Sequence, residues 1–235
     1  MDDAELTRRS LAGFAEAVVA LGRWGVGPEA VVRRPDAVGA RVDAAGDNHW
    51  LDAAIVPAGA IPPADGPDLP HCLWTLAPAV PDRVEDAAIA MPCLGLELEG
   101  AAVLENPPAV AVERPSLATV GEVNDRAYGQ GDRLRPLVGA LRDDRVQTHG
   151  LREGDDWACV TLTLQVGDDL SVQYVATEER HRRRGLASRL LVAILASARA
   201  EGLRTATLQA SPDGLPVYER LGFRRVATLR AFRRP

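Results

Sequence analysis

The sequence predicts an α+β protein, with a mixed, mostly antiparallel sheet flanked by helices and preceded by a smaller α+β domain. Three observations predict it. Apolar residues recur at helical spacing early in the chain and again after Gly185. Two β-rich runs, residues 157–166 and 170–177, are separated only by Gly167-Asp168-Asp169, which is turn chemistry. Between the first helix and about residue 108 lies Pro-, Gly- and Ala-rich sequence carrying short apolar runs, which reads as short strands and turns.

Taken in order, Leu11, Phe14, Val18 and Leu21 lie on one helical face and predict a helix over residues 6–23. Short strands are expected over 50–56, 71–76, 87–90 and 93–98, and the five prolines of 57–70 mark a loop. Asn106-Pro107-Pro108 places a domain boundary there, giving domains 1–108 and 109–235. Beyond it, 109–112 is expected as a strand. Ser116 caps a helix carrying Leu117, Val120, Val123 and Ala127, and 133–142 is a second helix. After the hairpin, Leu190, Leu191, Ile194, Leu195 and Ala198 build an amphipathic helix that ends near Gly202. A strand over 205–210, a short helix over 213–221 stopped by Gly222, and a strand over 223–232 complete the chain. In the second hairpin strand, Leu170, Val172, Tyr174 and Ala176 are expected to share one apolar face.

Composition bounds the function. With 46% hydrophobic and 26% charged residues over 235 positions, the chain can bury a core and is not disordered. The longest near-continuous apolar stretch, 190–198, is well short of the roughly 18 residues that suggest a membrane span. The acidic start lacks the pattern of a secretory signal, so the cytoplasm is the expected location. Cys72, Cys93 and Cys159 form no C-x-x-C pair and His49, His71 and His149 no H-E-x-x-H, so no metal site is expected and the cysteines read as buried apolar residues. All 27 basic residues are arginine, which excludes a lysine Schiff base. From Glu178 onward there are 13 Arg against 5 Asp and Glu, a basic block on an acidic body. That asymmetry, with only 4% aromatic residues, points to a local anion site and away from nucleic acid.

The anion site has a concrete candidate. Arg182, Arg183, Arg184, Gly185, Leu186, Ala187 and Ser188 lie between a strand and a helix. Free amides at a helix N-terminus, a glycine permitting close approach and three guanidinium groups suit a phosphate or pyrophosphate. The ending Gly-Lys-Ser/Thr of a P-loop is absent, and so is G-x-G-x-x-G.

Arg182-x-x-Gly185-x-Ala187, followed at a distance by Tyr218-x-x-x-Gly222-Phe223, resembles the paired motifs of the GNAT N-acetyltransferase superfamily. The resemblance covers residues 109–235 and implies a GNAT-like fold with acetyl-CoA as acyl donor. It implies that the backbone of Val175, Ala176 and Thr177 binds the pantetheine arm, and that 182–188 hold the pyrophosphate. It also implies a sheet splayed between the strands 170–177 and 205–210, and a Tyr218 that protonates the leaving thiolate. The acceptor would be a primary amine, on a small molecule or a protein N-terminus, attacking directly in a ternary complex; a homodimer is compatible with this. Two positions depart from the family. Ser211 stands where an Asn often contacts the cofactor arm, and Ser171 where some members carry a catalytic Glu. No general base is therefore visible, with Glu122, Asp125 and Glu178 as unspecific candidates. A catalytically inactive acyl-CoA sensor or interaction module is the alternative. Leu73-Trp74-Thr75 and residues 91–98 resemble the degenerate N-terminal region before some GNAT domains. Without the loop motif that region is expected to complete the fold, shape the acceptor pocket or mediate dimerisation.

Overall fold

A computed structural model describes residues 1–43 and 48–234. The elements are α1 (Asp3–Gly25), β1 (Val31–Arg34), β2 (Ala37–Ala40), β3 (Ala53–Ile55), β4 (Cys72–Thr75) and β5 (Val84–Glu97). There follow α2 (Leu117–Tyr128), α3 (Leu134–Gly139), β6 (Val146–Glu153), β7 (Asp156–Val166) and β8 (Asp169–Thr177). The chain ends with α4 (Leu186–Ala200), β9 (Thr205–Gln209), α5 (Leu215–Arg220) and β10 (Arg224–Arg233).

All described strands join one sheet in the order β1-β2-β3-β4-β10-β5-β9-β8-β7-β6. Only β3–β4 and β8–β9 pair in parallel, so the sheet is mixed and mostly antiparallel as expected. Strands from either side of residue 108 interleave: β5 lies between β10 and β9. The helices cover both faces. Residues of α1, α2 and α3 pack in one core that includes Phe14, Val18, Val120, Leu137 and Trp74. The opposite core is built by α4 and α5, with Leu190, Leu191, Ile194, Leu195 and Tyr218. Each such fully buried aliphatic side chain contributes roughly 1.5–3 kcal/mol.

Helix α1 begins at Asp2, whose carboxylate accepts the Glu5 amide at 2.8 Å. It crosses β5, β8, β9 and β10. A Cβ on Gly13 would lie 2.4 Å from Ser171 Oγ, so only glycine allows this approach. The closed end of the β8–β9 pair below is clamped by a buried carboxylate. Asp169 accepts Thr205 Oγ1 at 2.6 Å and Thr207 Oγ1 at 2.7 Å.

Several expected elements change. Residues 109–112 are not a strand, and only an isolated bridge, Glu113 to Gly150, ties this segment to the sheet. Pro107–Pro108 and Pro115, which lack amide donors, bound the segment on either side and limit how far a ladder could extend. The separate runs 87–90 and 93–98 belong to the single strand β5, whose pairing with β10 carries two register shifts. The helix expected over 133–142 is the shorter α3. Strands β1, β2 and β6 had no counterpart in the sequence reading. The apolar face expected for β8 also breaks: Leu170, Val172 and Val175 pack with the α4 core, whereas Tyr174 and Ala176 pack with the α1 core. One extra residue in a strand sends everything after it to the other face.

Candidate functional site

That extra residue starts the site. Along β8, Gln173 opposes Leu162 and Ala176 opposes Val160, so Tyr174 and Val175 bulge opposite Thr161. Tyr174 takes φ +53°, a left-handed conformation costly for a bulky side chain. Thr161 Oγ1 holds the bulge by donating to the Gln173 carbonyl at 2.9 Å. On the other edge, β8 pairs with β9 only at Asp169–Thr205, Leu170–Ala206 and Ser171–Thr207. Past Ser171 the two strands part, and the Ala210 amide turns to the Pro92 carbonyl of β5 instead. A V-shaped slot thus opens between Val172–Thr177 and the end of β9, in the place the sequence motifs implied.

The slot runs into the loop before α4. Arg183 (φ +63°) and Gly185 (φ +72°) are both left-handed, which curls the chain so that consecutive amides converge. Among the described residues, the amides from Arg183 to Ser188 have no backbone or side-chain acceptor, and α4 lacks a side-chain cap. A Cβ on Gly185 would meet nothing within 4 Å, so the space over the loop is open. Donors, helix dipole and open space fit a phosphate group. The guanidinium groups expected to reinforce it are only partly available. Arg182 donates to the Thr177 and Ala127 carbonyls at 3.2 and 2.6 Å, tying the end of α2 to the end of β8. Arg184 is held by Glu153 at 3.0 Å and lies 3.2 Å from His181 Nδ1. Arg183 is exposed on the loop.

Tyr218, on α5, is 8% exposed and packs edge-to-face on Phe223 with ring centroids 6.0 Å apart. Burial, with Tyr128 and Cys159 nearby, holds its phenol above the usual tyrosine range. Ser211 follows β9, and its Oγ accepts the Gly214 amide at 3.2 Å. The sequence reading missed Tyr128, the last residue of α2. Its hydroxyl donates to the Val175 carbonyl at 3.0 Å, and the Ser211 hydroxyl lies beside it. The one sequence signal for it is an aromatic residue placed directly before Gly129-Gln130-Gly131.

None of the three acids considered as a base is free. Asp125 is buried and accepts the Leu134 and Arg135 amides at 3.0 and 2.9 Å, capping α3. Glu122 and Glu178 are both paired with Arg126. Ser171 is fully buried beneath α1 and accepts from Gln173 Nε2 at 2.9 Å. All three cysteines are buried and free, with burial pushing Cys72 and Cys93 up to about 12 and Cys159 to about 11. Beyond Tyr128, a cleft of about 700 Å³ opens between residues 129–133 and residues 48–50. No described helix is long and apolar enough to cross a membrane.

No curated protein sequence matches the chain. Solved structures share its fold over nearly its whole length. One, from Novosphingobium aromaticivorans and assigned to the GNAT family of acetyltransferases, is 21% identical, with 92% of this chain and 95% of that chain covered and a TM-score of 0.57. A GCN5-related N-acetyltransferase from Kribbella flavida is 18% identical, covering 94% of this chain and 95% of that one at a TM-score of 0.58. A conserved protein of unknown function from Staphylococcus epidermidis, 10% identical, covers 86% and 92% at 0.55. Residues 136–233, which hold the slot, the loop and Tyr218, match the family model described as an acetyltransferase (GNAT) domain.

Proposed function

We propose that the protein is a cytoplasmic N-acetyltransferase that uses acetyl-CoA and acetylates a primary amine by direct attack in a ternary complex. The observation that carries this reading is the continuity of two features. The slot beside the Tyr174–Val175 bulge leads directly into a loop whose amides, from Arg183 to Ser188, are unpaired. An acyl-CoA has a strand-like amide arm and a pyrophosphate in that same order. The freed backbone of Val175, Ala176 and Thr177 suits the arm, and residues 182–188 suit the pyrophosphate through their amides more than through Arg182 or Arg184.

When bound, the donor supplies an activated thioester carbonyl. The chain's part is to hold and orient. Backbone groups at the bulge are fixed by Thr161 and so can align the reacting carbonyl without reorganising. Tyr218 Oη holds a proton for the sulfur that departs, and its raised pKa keeps that proton in place through neutral pH. The 700 Å³ cleft between the N-terminal segment and residues 129–133, just beyond Tyr128, supports entry of the amine there. With Glu122, Asp125 and Glu178 all engaged, the amine loses its proton to water or arrives neutral. Residues 1–108 then complete the sheet and wall the acceptor cleft, while 109–235 carry the donor site.

The same engagement of the acids favours one second reading, an acyl-CoA-binding sensor without turnover. Calorimetric titration with acetyl-CoA, alongside Gly185→Glu, tests the donor site. Wild type is expected to bind and the variant to lose binding, since a carboxylate would occupy the phosphate position at a left-handed residue. Equal binding by both removes the loop from the site. Thiol release over a panel of amines separates the enzyme from the sensor.

A further inference from the structure

Tyr128 stands at the mouth of the slot and is absent from the motifs that define it. Its hydroxyl donates to the Val175 carbonyl, 3.0 Å away. Val175 sits in the bulge, outside the register pairs with β7, and past the point where β8 pairs with β9. The phenol also lies near Ser211, which follows β9, so the ring sits in the gap between the two parted strands.

The surroundings separate what is fixed from what can move. The turn of α2 before Tyr128 is pinned to the end of β8. Arg182 Nη2 donates to the Ala127 carbonyl at 2.6 Å, and Arg126 pairs with Glu178 at 2.5 Å. Immediately after Tyr128 the chain passes through two left-handed glycines, Gly129 and Gly131, with no atom within 4 Å of where a Cβ would stand. The Tyr128 residue is itself 51% exposed. Its side chain can swing toward solvent while the helix stays in place.

We propose that Tyr128 is a donor-site residue whose phenol plugs the slot of the unliganded protein, taking the Val175 carbonyl that an amide N–H of an acyl-CoA arm takes on entry. This rests on the donor-site reading above. Binding then exchanges one hydrogen bond to Val175 for another and moves the Tyr128 ring outward. The Tyr128 hydroxyl thereby weakens donor affinity, because the competent, open slot is only part of the unliganded population.

Tyr128→Phe keeps the ring and deletes the competing donor. Acetyl-CoA affinity by calorimetry is expected to rise about two- to tenfold, the worth of one hydrogen bond of ordinary net strength. The chain has three tyrosines, so protein labelled with ¹³C at tyrosine Cζ gives three signals, and Tyr128→Phe assigns one of them. In wild type that signal is expected to move on adding acetyl-CoA. Equal or weaker binding by Tyr128→Phe, or a Tyr128 signal that stays put while wild type binds, overturns the plug and leaves the donor site standing. Absence of binding by both proteins, each with an unchanged melting temperature, overturns the donor-site reading and the plug with it.

Discussion

The role proposed for Tyr218, handing a proton to the departing sulfur, requires a phenol that still holds that proton when the reaction needs it. Burial gives Tyr218 this property by disfavouring its anion, and Tyr128 is raised by burial too, with the Arg182 guanidinium working against the rise. Tyr218→Phe is therefore expected to lower kcat on the order of a hundredfold and leave acetyl-CoA affinity nearly unchanged. Because the shift is upward, loss of the Tyr218 proton begins above the ordinary phenol value of 10.0, and the wild-type kcat profile is expected to show no alkaline fall from it below that pH. A fall centred well below pH 10 that disappears in Tyr218→Phe, or an unchanged kcat in the variant, would contradict this role.

At the scale of elements, the sheet's outer strand β6 carries a pH dependence of its own. His149 is buried there, its Nε2 2.9 Å from Thr163 Oγ1 on β7. Burial, helped by the nearby Arg114 charge, lowers its pKa from 6.5 to about 4. As pH falls below 6.5 the unfolded chain takes up a proton that the folded one refuses, so stability declines through that window and levels off below about 4. The loss amounts to roughly 3 kcal/mol by linkage. Chemical denaturation of His149→Gln at pH 4, 5, 6 and 7 is expected to give a flatter profile than wild type, and equal slopes would exclude His149 as its source. The β8–β9 pair works differently. Asp169 with Thr205 and Thr207 closes one end, the bulge opens the other, and the change of face between them lets one strand serve both cores.

For the whole molecule, the position of β5 between β9 and β10 makes the N-terminal segment part of the same sheet as the C-terminal half. Residues 109–235 alone would leave one edge of β9 and both edges of β10 unpaired and bare the face that α1 covers. That fragment is expected to show no cooperative melt by circular dichroism, whereas a sharp transition would make it an independent folding unit. Much of this was legible beforehand, for local reasons. The α1 and α4 periodicities, the Ser116 cap, the Gly167 turn and the Arg182–Ala187 and Tyr218–Phe223 motifs are all written within a few residues of one another. By itself the sequence determined the helices, the β7–β8 hairpin and the glycine-bearing loop before α4, because spacing, caps and turn residues act over one or two turns of chain. Tertiary structure alone decided the interleaved strand order, the bulge that turns β8 over, the commitment of Arg182 and Arg184 to protein partners, and the reach of Tyr128 to Val175. Each of these depends on which distant segments meet, and pairing between strands far apart in the chain leaves no periodic mark on either one.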